Sequence, residues 1–501
     1  MLSSQKSLTR LAIASILLLA ACSSSDDVTG PGPGPVTADT NPPAIVREMR
    51  GLWVATVANI DWPSRTGLTA DAQRAELTSI FDRAAAAGFN AIIFHVRPAS
   101  DAVYRSSLEP WGAMLSGTQG ADPGYDPLAF AVQEAHARGL ELHAWINPFR
   151  AGNAADSLKL SPTHLFYTRR DLIRIYGGQL WLDPGEPAVH DHVMRVITDI
   201  VQRYDVDGIH ADDYFYPYPV TDAQNRTVAF PDNATYARYG AGLTQDDWRR
   251  ANVDRFVERM YREVHLATPT MRVGISPFGI WRPGSPIGVN GLDAYASIYA
   301  DSRKWLRSGW VDYLAPQLYW AISAPQQSFP VLLDWWIGES AMARHVWPGL
   351  AAYRVGDGTA SAFSSSEIAA QIGLTRQRAA GSGHLLYNTT STLTKSGGAL
   401  AAALAASVYR ERAIPPAYPW LDSSAPGAPT ISLAEGSVTI TPAAGEAARW
   451  WVVRSQSGAS WTTRVLFGTE KTVALGGRTR VIVNAVDAAG NLSAPVEAKN
   501  P

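Results

Sequence analysis

The sequence predicts an α/β fold, a (β/α)8 TIM barrel, followed by a small all-β sandwich domain. Eight short apolar runs alternate with stretches of helix length across residues 44–412, and the count of eight favours a closed barrel. The runs are apolar along most of their length, as expected of parallel strands buried on both faces. Residues 427–499 instead alternate apolar and polar residues between turn residues, a pattern typical of a sandwich.

An open doubly wound sheet is the alternative arrangement of these units. No GxGxxG motif follows the first apolar run, which counts against the dinucleotide-binding version of such a sheet. Helical stretches such as 70–88 and 187–204 carry apolar residues at three- and four-residue spacing. The predicted barrel strands are 51–59, 90–98, 140–148, 206–213, 272–279, 311–320, 345–353 and 383–390.

Residues 1–22 are predicted to be a targeting segment rather than part of the fold. Lys6 and Arg10 precede an apolar run that is too short to span a membrane, and small residues lead into Cys22. This pattern resembles the bacterial lipoprotein signal, in which the cysteine is lipidated and becomes the new N-terminus. An ordinary cleaved signal is the alternative. Residues 23–43 form a flexible Gly/Pro/Ser tether.

The N-terminal pattern predicts a lipid-anchored protein of the cell envelope. Ser23 follows Cys22 where an Asp would favour retention in the inner membrane, so we expect an outer-membrane anchor facing the periplasm if the host has two membranes. Because Cys22 is the only cysteine, the exported protein has no internal disulfide and depends on packing for its stability.

The C-terminal region is predicted to be a separate module. Residues 413–426 are a Pro-rich linker, and 427–499 are the sandwich. The ending VNAVDAAGNLSAP resembles the last strands of fibronectin type III modules in bacterial extracellular enzymes. No catalytic constellation occurs in this region, so we expect a spacer, with a binding module as the alternative.

Composition narrows the class of partner. Lys and Arg total 43 against 45 Asp and Glu, so no basic surplus indicates nucleic acid. The chain has 17 Trp in 501 residues, and Trp left at a surface commonly stacks on sugars. We expect a polysaccharide as the partner and a monomer as the oligomeric state.

Two adjacent aspartates, Asp212 and Asp213, follow the fourth predicted strand, where active sites of such barrels lie. Neighbouring carboxylates cannot both ionise freely, so one becomes a proton donor while the other stays an anion. Glycoside hydrolysis needs this combination of acid and anion. The structural alternative is that Asp213 caps the next turn or pairs with an arginine such as Arg97.

Aromatic and amide side chains recur at the other predicted strand ends, a composition that favours a sugar cleft because rings stack on pyranose faces while amides and guanidinium groups bind hydroxyls. The predicted substrate-binding residues are Asn59, Trp62, Arg97, Asn147, Tyr214, Gln317, Tyr319, Trp320, Tyr387 and Asn388. Arg97 is a candidate for binding a carboxylate, such as the lactyl group of an N-acetylmuramic residue. Trp62 and Trp111 are candidates for stacking, whereas Trp53 is expected in the core.

Several of these motifs together carry a family resemblance. They are MRGLWVATVANIDWP, FHVRPASDAVYRSSLEPWG, LHAWINPFR, VDGIHADDYFYPYP, GISPFGIWR and APQLYW. In this order they resemble the glycoside-hydrolase-like family 10 domain over about residues 43–412. That family includes a bacterial lipoprotein that cleaves denuded peptidoglycan. The resemblance implies a barrel glycosidase that acts on glycan strands freed of their stem peptides.

A second resemblance concerns the mechanism. VDGIHADDY is similar to the chitinase-type family 18 signature DGxDxDxE, with Asp207 and Asp212 in place. His210 replaces the middle Asp, and Tyr214 stands where the acid Glu would be, so Asp213 would have to supply the proton. The strand-6 motif VDYLAPQLYW places Tyr319 where a family tyrosine holds the acetamido group.

Enzymes that remove O-linked N-acetylglucosamine also have an Asp-Asp pair at the end of strand 4. This resemblance implies substrate-assisted cleavage, with Asp212 holding the acetamido N–H and Asp213 protonating the leaving oxygen. The predicted seventh strand has no carboxylate at its end, so the usual nucleophile of retaining barrel glycosidases is missing. A two-carboxylate mechanism that uses Asp61, Asp101 or Glu109 is the competing hypothesis.

Two further functions remain open from sequence. His95, His143 and His210 with an Asp are candidates for a metal site, which would indicate a metal-dependent glycan deacetylase. The first predicted strand has no HxH pair and the sequence has no HExxH motif, so neither pattern supports that site, and we expect neither a metal nor another cofactor. The other alternative is a non-catalytic lipid-anchored protein that binds glycan through the same cleft.

Overall fold

The computed structural model of the chain describes residues 41–378, 383–434, 436–445 and 447–499. The chain divides into two compact units, Met1–Asn41 and Pro42–Pro501. The predicted targeting segment, Cys22 and most of the predicted tether lie outside the described residues. Within the described ranges, no helix is both long enough and apolar enough to cross a membrane.

The described residues of the unit Pro42–Pro501 form 21 strands, 12 α-helices and several shorter helical turns. The strands are β1 Val46–Arg47, β2 Met49–Val54, β3 Ala91–Arg97, β4 Glu141–Ile146, β5 Arg150–Asn153, β6 Ile173–Tyr176, β7 Gln179–Leu182, β8 Gly208–Ala211, β9 Arg272–Ile275, β10 Tyr313–Leu314, β11 His345–Val346, β12 Gly349–Leu350, β13 Gly383–Leu386, β14 Ala413–Ile414, β15 Thr430–Ala434, β16 Ser437–Thr441, β17 Trp450–Ser457, β18 Ser460–Phe467, β19 Thr472–Ala474, β20 Arg480–Val486 and β21 Val496–Lys499. The α-helices are α1 Ala70–Ala87, α2 Ala113–Ser116, α3 Pro127–His136, α4 Leu165–Thr168, α5 Pro187–Arg203, α6 Asn233–Tyr239, α7 Gln245–Ala267, α8 Ala294–Ser297, α9 Ser302–Arg307, α10 Phe329–Glu339, α11 Ser365–Arg378 and α12 Ala399–Ala406. Shorter 3-10 turns span Val57–Asn59, Ala154–Lys159, Arg170–Leu172, Ala352–Arg354 and Lys395–Gly398, and a π turn spans Thr390–Thr394.

The parallel strands close into a barrel. Their order is β11-β10-β9-β8-β4-β3-β2-β13-β12, and the two end strands are halves of one stretch, 345–350. Since β11 pairs with β10 and β12 pairs with β13, the sheet joins up on itself. Pro348 lies between the halves and has no amide hydrogen to donate, which explains the interruption. The predicted (β/α)8 barrel is confirmed.

The helices that follow the strands pack one apolar face onto the barrel. In α5 the residues Val189, Val193, Ile197 and Ile200 are buried at helical spacing, while the opposite face is polar. Helix α1 begins at the N-cap Thr69, whose side chain accepts a hydrogen bond from the third residue of the helix. The core therefore lies between the sheet and a ring of amphipathic helices.

Several strands end earlier than the apolar runs in the sequence suggest. The first strand stops at Val54, and the chain then turns through Val57–Asn59 with Ala58 and Asn59 at positive φ. The sixth strand is only Tyr313–Leu314, after which Pro316 interrupts the ladder. As a result, the polar and aromatic residues at the ends of the runs lie on rim loops.

A small antiparallel sheet, which the sequence did not predict, lies beyond the third barrel strand. Its order is β5-β7-β6, and the amide of Leu182 on β7 donates to the carbonyl of Phe149. Each of these strands has four residues, too few for a periodic pattern to be recognised.

The predicted C-terminal sandwich is confirmed. Two antiparallel sheets, β15-β16-β19 and β18-β17-β20-β21, face each other. Inward residues such as Val438, Ile440, Trp451 and Val483 are buried between them.

The sandwich is fixed to the N-terminal end of the barrel strands. Arg449 of the sandwich donates to Asp205 and Asp207 of the barrel at 2.8 and 2.7 Å, and Phe467 stacks on His136 with 4.4 Å between ring centroids. Within the predicted linker, Trp420 Nε1 donates to a barrel carboxylate at 2.7 Å. The module is therefore docked on the barrel.

Candidate active site

A cavity of about 240 Å³ opens at the C-terminal ends of the barrel strands. The residues that line it are contributed by β4 and by the loops and strand ends after β2, β8, β9, β10 and β13, so the site depends on barrel closure. The lining residues are Trp53, Trp145, Asp212, Asp213, Tyr214, Tyr218, Ser276, Phe278, Gln317, Tyr319 and Tyr387.

Asp212 follows β8 directly and accepts hydrogen bonds from three donors. Trp145 Nε1 donates to Oδ2 at 3.0 Å, and Asn147 Nδ2 lies 3.1 and 3.2 Å from the two oxygens. The amide of Tyr214 donates to Oδ1 at 3.1 Å. These donors use most of the acceptor capacity of the carboxylate and favour its ionised form.

Asp213 has a different set of partners. Gln317 Nε2 donates to Oδ1 at 3.0 Å, and the Tyr218 hydroxyl donates to Oδ2 through a short hydrogen bond. Each oxygen thus accepts one donor and keeps room for a proton or a substrate atom. The two neighbouring carboxylates therefore have unequal hydrogen-bond surroundings.

Burial raises the pKa of both aspartates. For Asp212 the negative charge of Asp213 adds to the effect of burial, and the pKa reaches about 6 in spite of the donors. For Asp213 burial outweighs the hydrogen bonds from Tyr218 and Gln317, which act in the opposite direction. The pair therefore holds a proton at a pH where an exposed aspartate would have lost it.

Below the pair, the barrel interior holds a hydrogen-bonded group of rings. The Tyr313 hydroxyl lies 3.0 Å from His210 Nδ1 and 2.8 Å from His143 Nδ1, and His210 Nε2 lies 3.0 Å from the Ser276 hydroxyl. Gly274 leaves space for this group, because a Cβ there would come within 2.0 Å of the Tyr313 ring. The rings form a packed floor under the cavity.

The three interior histidines are not gathered around a common point. His95 stacks on Trp145 with 3.8 Å between ring centroids, whereas His143 and His210 share Tyr313. Burial lowers the pKa of His95 and of His210, which keeps both rings neutral. In the part of the chain that the structure describes, no group of three or more His, Cys, Asp or Glu could hold a metal ion. The metal-dependent alternative therefore has no ligand set there.

Four of the predicted substrate-binding residues, Tyr214, Gln317, Tyr319 and Tyr387, line the cavity. The rings of Tyr319 and Tyr387 stack at 6.2 Å between centroids. Asn147 lies behind Asp212 and holds it.

Three other predicted substrate-binding residues serve the rim loops instead. Asn59 donates to the carbonyls of Pro63 and Met114, and Asn388 accepts from the amide of Ser391. Trp320 packs edge-on against Phe278, which lines the cavity in its place.

The predictions for Trp62 and Arg97 are wrong. Trp62 is fully buried against Phe94 and donates to the carbonyl of Gln73, so it belongs to the core. Arg97 is also fully buried and forms a bidentate ion pair with Glu109 at 2.5 and 2.8 Å. The register of β3 against β4 shifts between His95 and Arg97, so Arg97 does not share the inward phase of His95.

The structure does not bring the alternative carboxylates to the cavity. Asp61 accepts from the amides of Ala55 and Thr390 and holds a rim loop. Asp101 accepts from Gln119, and Glu109 is paired with Arg97. Of the described residues that line the cavity, Asp212 and Asp213 are the only carboxylates.

Sequence reasoning missed five of the lining residues: Trp53, Trp145, Tyr218, Ser276 and Phe278. Trp145 was within reach, because it lies two residues from His143 and from Asn147 and shares their phase on the strand. Tyr218 comes from an irregular loop, whose path no periodic pattern predicts.

A larger cavity, of about 570 Å³, lies at the N-terminal end of β11. Its lining includes Arg47, Arg344, His345 and Trp420 but no Asp or Glu. It has none of the paired carboxylates that glycoside hydrolysis uses, so the site at the opposite rim is the candidate active site.

Comparison with known proteins finds a family and relatives that are described as glycosyl hydrolases. The sequence model of the family described as "Glycosyl hydrolase-like 10" matches residues 48–364. The chain is 40% identical over 396 residues to "Glycosyl hydrolase YngK" of Bacillus subtilis (strain 168), covering 77% of this chain and 76% of that protein. It is 34% identical over 374 residues to "Glycosyl hydrolase DigH" of Escherichia coli (strain K12), covering 69% of this chain and 82% of that protein.

Solved structures that resemble the chain include two further glycoside hydrolases. One is the glycoside hydrolase domain of PgaB (BpsB) from Bordetella bronchiseptica, at 14% identity and a TM-score of 0.47, covering 72% of this chain and 98% of that one. The other is an endo-beta-1,4-mannanase from Thermotoga petrophila, at 9% identity and a TM-score of 0.43, covering 91% and 98%.

Proposed function

The chain belongs to the glycosyl hydrolase-like 10 family and is a glycosidase, and on that premise we propose that it cleaves denuded, peptide-free peptidoglycan glycan strands. The observation that carries the proposal is the pair Asp212 and Asp213, which are the only carboxylates among the described lining residues of a cavity otherwise rich in aromatic rings. Such a cavity suits a sugar polymer, and the unequal partners of the pair suit an acid beside an anion.

Asp213 acts as the proton donor in the proposed mechanism. Its two oxygens each accept a single hydrogen bond, from Gln317 and from Tyr218, so one oxygen can carry the proton that the leaving glycosidic oxygen receives. Burial raises its pKa, which supports the protonated form needed at the start of the reaction.

Asp212 remains ionised and orients the substrate. The hydrogen bonds from Trp145, Asn147 and the Tyr214 amide fix its position and favour the anion. Placed in this way, it accepts the N–H of a 2-acetamido group, whose carbonyl oxygen then attacks the anomeric carbon as the glycosidic bond breaks. Water opens the resulting oxazolinium ion, and Asp213, now ionised, takes the proton of that water.

The lack of a third carboxylate in the described lining supports this substrate-assisted course over a two-carboxylate one. A protein nucleophile would have to stand at the anomeric carbon, and Asp61, Asp101 and Glu109 are all held elsewhere by their own partners. The substrate must then bring its own nucleophile, which an N-acetylhexosamine does. Peptidoglycan strands consist of such sugars.

The cellular setting is part of the proposal. The segment ending at Cys22 supports a lipid anchor in the cell envelope, on the outer membrane if the host is diderm. The flexible tether would let an enzyme anchored there reach the glycan polymer.

The proposal is tested with purified denuded glycan strands and protein lacking residues 1–22. Products are followed by mass spectrometry for the wild type, Asp213→Asn and a matched control, Asp71→Asn, which changes an exposed aspartate on α1. Fragments with new reducing ends from the wild type and the control, and not from Asp213→Asn, would support it. Intact strands in every reaction would reject the peptidoglycan substrate, and cleavage of chitin oligomers alone would reassign it.

A further inference from the structure

An arginine beside the aspartates has no carboxylate partner. Arg150 opens β5, and its amide donates to Asn147 Oδ1 at 2.8 Å, which fixes the backbone next to the residue that holds Asp212. Its guanidinium lies over the ring of Tyr214, 4.2 Å from the centroid. Tyr214 lines the cavity, so the charge lies next to the active site.

Arg344 and Arg454 also lack a carboxylate partner among the described residues, but Arg150 differs from them because it lies against a residue that lines the candidate active site. Arg97, at the end of β3, is neutralised by Glu109. Arg150 forms no ion pair with any residue in the described ranges, and its Nε is buried without a hydrogen-bond partner. A half-buried cation that lacks an anion costs folding free energy, which indicates that its partner arrives with a ligand.

Arg150 is also close enough to influence the reacting groups. Its positive charge acts against burial to lower the pKa of Asp212 and of Asp213. Both aspartates already have other hydrogen-bond donors, so the guanidinium is not needed to satisfy them. The guanidinium lies over the Tyr214 ring, and a guanidinium group can bind a carboxylate through two parallel hydrogen bonds.

We infer that Arg150 binds the carboxylate of an acidic amino sugar in the glycan, namely the lactyl carboxylate of an N-acetylmuramic residue next to the scissile bond. This inference rests on the proposed function and adds the residue that determines its specificity. In peptide-bearing strands the lactyl carboxyl is an amide and carries no charge. Hydrolysis of that amide frees the carboxylate, so an amidase reaction must precede this enzyme and supply its substrate.

The test crosses two substrates with four proteins. The substrates are denuded strands and the same strands after their carboxyl groups are converted to methylamides. The proteins are the wild type, Arg150→Gln, Arg150→Lys and the control Arg195→Gln, which removes an exposed arginine from α5. For each combination of protein and substrate, kcat/KM is measured from the rate at which new reducing ends appear. Thermal unfolding checks that each variant folds.

We expect Arg150→Gln to lower kcat/KM on denuded strands by about ten- to a hundredfold, the range for losing a hydrogen bond to a charged group. Amide conversion should lower the wild-type value by a similar factor, and Arg150→Gln should add no further loss on the amidated strands. Arg150→Lys should keep part of the preference, and Arg195→Gln should match the wild type.

Equal losses on both substrates, with a shifted pH profile, would overturn the inference and assign Arg150 to the tuning of the aspartates. If the wild type cleaves neither substrate, the proposed function fails, and the inference is then decided by binding. Denuded and amidated strands are titrated onto Asp213→Asn protein with Arg150 or with Gln at that position. A preference for the acidic strands that Gln abolishes supports the inference, and the absence of a preference rejects it.

Discussion

Strand β8 has an aspartate next to each end, and the residues around the two aspartates shift their pKa values in opposite directions. Asp207 precedes the strand and Asp212 follows it, and both are buried. Burial alone would raise both pKa values, but the charges of Arg449 and His136 hold the pKa of Asp207 well below its usual range. At the other end the negative charge of Asp213 adds to the effect of burial, and the pKa of Asp212 rises to about 6.

The same contrast holds for other residues at the N-terminal end of the barrel. Glu48 lies between Arg376 and Arg50, and these cations lower its pKa to about 2 against the effect of burial. Glu141 pairs with Arg272. The N-terminal end thus neutralises its buried carboxylates to hold the barrel and the sandwich together, whereas the rim leaves two of them without a cation in contact. Stability and chemistry are assigned to opposite ends of one sheet.

The largest expected effect comes from removing the acid at the rim. Asp213→Asn should lower kcat by about a thousandfold, in the range for losing general acid catalysis, while the free energy of unfolding stays equal or increases because burial disfavours the ionised form of this carboxyl. Steady-state kinetics on denuded strands and urea unfolding give the two values. A variant that keeps its activity would show that Asp213 is not the proton donor.

The matched change at the other end of β8 should lower the stability of the protein and leave its kcat unchanged. Arg449→Ala leaves Asp207 buried without its main cation, so the free energy of unfolding should fall by about 3 kcal/mol. Residual folded protein should keep its kcat, since Arg449 is remote from the cavity. The control is Arg464→Ala, an exposed position on β18 of the same module. An unchanged unfolding midpoint would mean that the module is only loosely attached.

The pH dependence of the two ends should also differ. The pKa of Asp212 is raised to about 6, and the proposed mechanism needs this carboxylate ionised, so kcat/KM should decline as the pH falls below about 6. The pKa of the proton donor, Asp213, is also raised, and its loss of the proton sets the alkaline limb of the profile. At the N-terminal end the pH affects stability instead: because the pKa of Glu48 is lowered, its stabilisation is present above about pH 4.5 and is lost as the pH falls toward 2. Rate profiles and acid unfolding curves measure these limits. A rate that increases steadily to pH 9 would contradict the assignment of the acid.

How much of this contrast the sequence could predict depends on the range of the interactions. Eight buried apolar runs fix the barrel, and barrel geometry places Asp212 and Asp213 at the rim. The fate of Arg97 could not be predicted, because one irregular step in β3 turns it toward Glu109. The docking of Arg449 on Asp207 joins residues 242 positions apart, and no local pattern encodes such a contact.

The smallest and most specific prediction concerns the short hydrogen bond from Tyr218 to Asp213. This bond lowers the pKa of Asp213 against the effect of burial, so Tyr218→Phe should raise that pKa. The alkaline limb of the kcat/KM profile should then move to higher pH by about one unit, because a hydrogen bond to a charged group is worth about 1.5 kcal/mol. Tyr167→Phe, which removes a hydroxyl that donates to the carbonyl of Ser157 and does not line the cavity, is the control and should leave the limb in place. A shift to lower pH in Tyr218→Phe would mean that the hydroxyl stabilises the protonated form, and the proton would then be assigned to Asp212.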